Sequence, residues 1–375
     1  MRPTRAIATV TAAATVAVGA AAPAPAAHPP TAPGRTVSVE PLADDLRLPG
    51  AGAAWRLRYT STSWSGRAAI VSGTLSVPPG RPPRHGWPVV SLAPGFGGTP
   101  DACAPSRAGV PPFALPFGEA LLAAGYAVAV TDYEGIGTPG ESSVVHGPAE
   151  AYAVIDIVRA ARRLAAVSRA WAAVGYSLGG HAALWAGHLA RQYAPELRHT
   201  GTVAIAATTQ WAAQFAAPPF RDPAAPFSPI VPYMGRTLAL THPGEFRAAD
   251  WFTPAGLDLV ELAGRVCVEE MAATIAGVTN GAALRDPAAA ADAFTALLAP
   301  HEIPIGRYRR PVRLAHGTTD ALPAVLSEIT AGQLAAAGSD VEYAPVPGAD
   351  HFTVLAAVTP TTVDWLAEMF ASVPG

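Results

Sequence analysis

Lysine is absent from the 375 residues, so all 25 basic side chains are arginine, a bias that reads as one of coding rather than of function. Charge is scarce as well: 14% of residues are charged, and the formal net charge is -3. With no long basic run, nucleic acid is not an expected partner. Only two cysteines occur, Cys103 and Cys267, and neither has the paired neighbours of a zinc site. Beyond the N-terminal leader no stretch reaches the roughly 18 uninterrupted apolar residues of a membrane span, so stable insertion into a bilayer is not expected. Half of the residues are hydrophobic, which favours a large core over disorder.

Residues 1–30 read as an export signal. Arg2 and Arg5 give the positive start, Ala6 to Ala22 the apolar run of small residues, and Ala24-Pro25-Ala26 a cleavage site. The run is too short and too rich in alanine for a transmembrane helix. The chain is therefore expected to be secreted, and in an exported chain two thiols more often pair than stay free. Two separate buried thiols are the alternative. Beyond the leader the chain is long enough for one large domain with an insertion, or for two domains.

The pattern along the chain is that of alternating strands and helices. The stretches WRLRYTSTSW and AAIVSGTLSVP read as a leading antiparallel pair. Then come strand WPVVSLAPG (87–95), helix FGEALLAAG (117–125), strand YAVAVTDYEG (126–135), a long amphipathic helix over 148–167, strand RAWAAVGYS (169–177), helix over 178–193 and strand GTVAIAATT (201–209). Such alternation predicts βαβ units and a mostly parallel central sheet flanked by helices. The rhythm breaks over 210–305, where a Pro- and aromatic-rich stretch precedes helical ones, and resumes with strands at 310–320 and 340–347 and a closing helix over 359–373. The division is thus a core of residues 31–209 and 306–375, with a mainly helical cap, 210–305, inserted before the last two strands. Ligands bind at the carboxyl ends of parallel strands, which such a cap would cover. Trp211, Phe215, Phe220, Phe227, Tyr233 and Met234 are expected to wall an apolar pocket there, although core aromatics would look the same.

A G-x-S-x-G pattern, present as GYSLG over 175–179, arises by chance in roughly one chain in ten of this length. Its context makes it informative. A strand ending at Gly175-Tyr176 and a helix starting at Leu178 put Ser177 on the sharp strand-to-helix turn of a nucleophile elbow. A serine hydroxyl is a poor nucleophile near neutral pH, so it needs a histidine to take its proton and a carboxylate to orient that histidine. In chain order Asp320 follows the strand ending near Ala315, and His351 follows the last strand. Of the ten histidines, His351 alone lies in a loop after that strand. His181, His188 and His316 read as packing or surface residues, and Asp350 ranks below Asp320. The oxyanion formed by attack needs two backbone N–H donors: Leu178, and one from APGFGG (93–98), with Phe96 the first choice and Gly97 the second. Asp132 and Glu134, at a strand end before a glycine turn, read as structural hydrogen-bonding groups.

These residues resemble the secretory lipase family of α/β-hydrolases, the lipase A type, over about residues 90 to 355. The resemblance rests on PGFGGTPDACAPS, TDYEGIGTPG, GYSLGG, HGTTD and GADH. It implies an α/β-hydrolase fold and hydrolysis of ester or lipid substrates by an acyl-enzyme route, in some members at a lipid–water interface, with no metal or organic cofactor. It also implies a disulfide from the CAPS loop to the cap, which fits Cys103 and Cys267. The rival readings are a peptidase or amidase on the same scaffold and a non-catalytic binding protein.

Overall fold

The computed structural model describes residues 32–372, so the export-signal reading of residues 1–30 lies outside the described residues. Nine strands form one sheet: β1 (Thr36–Pro41), β2 (Ala53–Thr62), β3 (Ala68–Val77), β4 (Trp87–Ala93), β5 (Ala127–Glu134), β6 (Val167–Tyr176), β7 (Arg198–Ile205), β8 (Val312–Gly317) and β9 (Val341–Val346). Their order is β1-β2-β3-β5-β4-β6-β7-β8-β9. The first four neighbours pair antiparallel, and β5, β4, β6, β7, β8 and β9 run parallel.

β6 shows why the parallel part is covered on both faces. Trp171 and Ala173 point into a core shared with helices Gly147–Leu164 and Leu178–Tyr193, where Val154, Ile157 and Ala182 meet them. Ala172 and Val174, one residue out of phase, point to the opposite core, built with Phe117 and Leu121 of helix Leu115–Ala123 and Trp365 and Leu366 of helix Val354–Ala371. Side chains alternate along a strand, so a strand buried on both faces carries an unbroken apolar run.

Three elements differ from the sequence reading. β1 pairs with β2 ahead of the expected antiparallel pair. The long helix ends at Leu164, leaving Val167 to begin β6. The last helix begins at Val354, five residues earlier than expected, with Pro360 inside it.

Between β7 and β8 the chain is helical, in short pieces that include Trp211–Ala216, Val231–Thr241, Pro254–Leu262, Val268–Thr274 and Pro287–Leu298. Of the two readings of its aromatics, an apolar pocket wall or a core, the second describes how they pack. Trp211, Phe215, Phe227, Tyr233 and Met234 are all buried and pack with Phe246, Phe252 and Phe294 into a core of their own, with Phe220 packed against its edge. The aromatic side chains supply most of the bulk of this interior. That core reaches the sheet through Leu178, and Phe96 packs against it. Among the described residues no helix is long and apolar enough to cross a membrane.

Cys103 and Cys267 are joined as a disulfide, 164 residues apart in sequence, between the loop after β4 and the start of helix Val268–Thr274. Cross-linking so long a loop restricts the unfolded chain strongly. Replacing both cysteines by serine is expected to lower the unfolding free energy by about 2 to 5 kcal/mol. Urea denaturation of the two proteins measures the difference, and coincident curves would contradict it.

Candidate active site

The site starts from a backbone constraint. Ser177 has φ 57° and ψ -123°, a combination that side chains other than glycine's rarely adopt. The chain holds it there because strand, turn and helix pack without side chains between them. A Cβ on Gly175 would run into the carbonyl of Gly179, and one on Gly179 into the carbonyl of Ala93 on β4. The Ser177 N–H donates to Ile205 O, and Ser177 O accepts from both Gly180 N and Thr208 N. The serine is thereby presented at the carboxyl edge of the parallel strands, at the first turn of helix Leu178–Tyr193.

His351 Nε2 lies 3.0 Å from Ser177 Oγ, and His351 Nδ1 lies 2.7 Å from Asp320 Oδ2. The three groups come from loops after β6, β8 and β9, residues 174 and 31 apart in sequence. Tyr176, beside the serine, donates its hydroxyl to His351 O at 2.7 Å and so ties the β9 loop to the elbow. The Asp320 side chain is wholly buried, whereas that of His351 is 25% exposed. Burial by itself would raise the Asp320 pKa. Hydrogen bonds from His316 and His351 and from the Leu322 N–H outweigh it and hold the carboxyl well below the usual range. Asp320 is thus an anion at neutral pH. It faces the Nδ1 of His351, which leaves Nε2 of a neutral ring free to accept the serine proton.

The loop after β4 runs alongside. A Cβ on Gly95 would stand 3.4 Å from Ser177 Cβ, so this backbone passes close by Ser177. Tyr133 fixes the loop by donating to Pro94 O at 2.9 Å, and Gly97 O accepts from Val268 N at 2.9 Å. Phe96 packs edge-on against Tyr233, with ring centroids 4.9 Å apart, and Leu178 is buried in the same cluster. The side chains of Phe96 and Leu178 therefore anchor, through the helical layer, the two backbone segments flanking Ser177.

Other candidates from the sequence are accounted for elsewhere. Asp132 accepts from Ser72 Oγ, Ser106 Oγ and Ser106 N, and Glu134 from Trp64 N and Ser143 Oγ, so both are structural. Asp350 turns away to accept from the Phe352 and Thr353 N–H groups ahead of the last helix. His181 is buried between Glu150 Oε2 and His301 O. His316, which the sequence presents as a packing residue, is where sequence reasoning fell short. Its Nε2 is 3.2 Å from Asp320 Oδ2. The i, i+4 spacing in HGTTD was the available signal. Among the described residues no group of three or more His, Cys, Asp or Glu side chains is arranged to hold a metal ion.

The secretory lipase family model matches residues 116–218. Among solved structures the chain is similar to Candida antarctica lipase A in its closed state, with a TM-score of 0.75 at 19% identity over 92% of this chain and 84% of that one. It is also similar to the rice cell wall degrading esterase LipA from Xanthomonas oryzae, with a TM-score of 0.73 at 17% identity over 90% of this chain and 98% of that one. Comparison with curated protein sequences gives no match. The fold is that of the α/β-hydrolases.

The strain at residue 177 generates a prediction of its own. Ser177→Gly and Ser177→Ala both lack the hydroxyl, but only glycine adopts the elbow conformation freely. The glycine variant is expected to be more stable than the alanine variant by about 1 kcal/mol, the strain relieved less the extra chain entropy. Thermal unfolding of the pair reads this directly, and an alanine variant of equal or greater stability would show that the elbow is not strained.

Proposed function

We propose that the chain is a secreted serine hydrolase of carboxylic esters, with lipid esters as its substrates. The observation that carries this reading is the unbroken row Ser177 Oγ, His351 Nε2, His351 Nδ1, Asp320 Oδ2, with steps of 3.0 and 2.7 Å. The match to the secretory lipase model supports the ester class and export, as does the fold shared with a lipase and an esterase. The disulfide is what an oxidising compartment would preserve.

In this mechanism Ser177 Oγ attacks the ester carbonyl carbon as its proton passes to His351 Nε2. The resulting imidazolium is stabilised by Asp320, which also keeps the ring in the Nδ1–H tautomer. The negative oxygen is met by the N–H groups of Leu178 and Phe96, with Gly97 the second choice on that loop, and by the positive end of helix Leu178–Tyr193. Collapse of the adduct expels the alcohol, which takes the proton from His351. Water, deprotonated by the same ring, then attacks the acyl-serine; the acid leaves and Ser177 regains its proton. The helical layer over 210–305 acts as a cap whose closeness to the oxyanion loop sets which acyl groups enter.

Hydrolysis of p-nitrophenyl esters from acetyl to palmitoyl, with and without emulsion, tests the reading. Preference for long chains, sharpened by an interface, is the expected result; preference for acetyl or butyryl without an interface would make the protein a small-ester esterase. Ser177→Ala is expected to abolish turnover and labelling by a fluorophosphonate while preserving the far-ultraviolet spectrum, and undiminished hydrolysis would reject the nucleophile. Asp320→Asn is expected to lower kcat by about 10⁴-fold, through loss of the tautomer lock. Near-normal kcat would assign the orienting role to another carboxylate.

A further inference from the structure

His316, at the end of β8, is wholly buried, and three polar groups surround its ring. Nδ1 is 2.7 Å from Ser327 Oγ, on helix Ala324–Ala336. Nε2 is 2.9 Å from Leu322 O and 3.2 Å from Asp320 Oδ2. In the neutral ring these partners fix the tautomer. Leu322 O and the Asp320 carboxylate accept only, so Nε2 carries the hydrogen, and Ser327 donates its hydroxyl to the lone pair on Nδ1. Asp320 Oδ2 thus stands between two imidazole N–H groups, that of His316 and that of His351 at 2.7 Å, while Oδ1 accepts from Leu322 N at 2.8 Å.

From this geometry we infer that His316, locked by Ser327, is a positioning residue for Asp320: it fixes the plane of the carboxylate and takes a share of its charge from His351. The inference rests on the hydrolase reading above. Its physical content concerns the strength of the base. A carboxylate bonded to His351 alone would stabilise the imidazolium so far that the ring would release its proton to the leaving alcohol reluctantly, and catalysis is fastest when the base titrates near the working pH. A second neutral donor on the same oxygen tempers that pull and keeps the carboxylate from rotating. The groups facing this pair that titrate or carry charge are His316 from β8, Tyr176 from β6 and the exposed Asp350 from the β9 loop, besides Asp320 and His351 themselves. Of these only His316 brings a second ring nitrogen within reach of Asp320 Oδ2, at 3.2 Å. A histidine kept merely to fill space would satisfy Leu322 O and leave the titration of His351 untouched.

The experiment is the pH dependence of kcat/KM, and in parallel of the rate of inactivation by a fluorophosphonate, for the wild type, His316→Phe and Ser327→Ala. Phenylalanine fills the same space without a donor. It is expected to lower kcat/KM roughly tenfold, mainly through kcat, because a hydrogen bond to a charged group is lost. The midpoint of the acid limb should move up by about half a pH unit, since Asp320 then bonds His351 more strongly and the imidazolium persists to higher pH. Ser327→Ala, which removes one atom and leaves the ring in place, should move the midpoint in the same direction by less. If His316→Phe does not fold, Ser327→Ala decides. Folded variants whose acid limb stays at the wild-type midpoint, whatever their rate, would overturn the inference. A wild-type protein that neither hydrolyses esters nor reacts with the fluorophosphonate would instead overturn the hydrolase reading.

Discussion

One residue in an unfavourable backbone conformation organises the molecule. Ser177 keeps φ 57° because the end of β6 is fixed on both sides: Gly175 sits in register with Ala93 of β4 and with Ala204 of β7, and the carbonyl of Ser177 is held by two N–H groups. Strain of this kind survives only where its surroundings over-determine it. The missing side chains at Gly175 and Gly179 are what let strand and helix come close enough to do so. The parallel order of the sheet then brings the loops after β8 and β9 to the same edge, and the hydrogen-bonded row from Ser177 to Asp320 is a consequence of the strand order.

The helical layer between β7 and β8 is bound to the helix that begins at the elbow. In the first turns of that helix His181 meets Glu150 Oε2 at 2.9 Å and His301 O at 2.7 Å, and Trp185 Nε1 donates to the same carbonyl. Both nitrogens of His181 face acceptors, an arrangement satisfied by the protonated ring. Burial would lower its pKa, but the bond and charge of Glu150 and the His301 carbonyl win, and the pKa is raised. His181 and Trp185 therefore link the elbow helix to the far end of the inserted segment through the His301 carbonyl. The near end is held by Phe96 and Tyr233, so the layer grips the site from two directions.

Much of this was legible in the sequence because it is local. The apolar runs ending in Ser177, before Asp320 and before His351 mark strand ends, and a parallel sheet gathers such ends at one edge. What escaped was set by partners distant in the chain. β1 exists because Val39 and Pro41 find Leu57 and Trp55 across a loop, and its exposed Val37 and Val39 carry no inward pattern of their own. The aromatics of 211–234 have the same composition whether they line a cavity or fill a core, and only the fold around Phe246, Phe252 and Phe294 distinguishes the two. The last helix starts early because Asp350 gathers the N–H groups of Phe352 and Thr353, an arrangement that hydropathy does not register. The closeness of His316 to Asp320 depends on how the HGTTD turn folds back, with Asp320 N donating to Gly317 O, which the apolar pattern does not register.

The covalent bridge between Cys103 and Cys267 does more than shorten the unfolded chain. It lies next to the point where Gly97 accepts from Val268, and Thr99 Oγ1 donates to Ala263 O a few residues away, so the strip from 97 to 103 is stitched to the strip from 263 to 268 by one covalent and two polar links. Polypeptide still carrying two thiols has only the two polar links between these strips. The bridge therefore makes the contact between the loop after β4 and the inserted helical segment independent of the strength of its two hydrogen bonds.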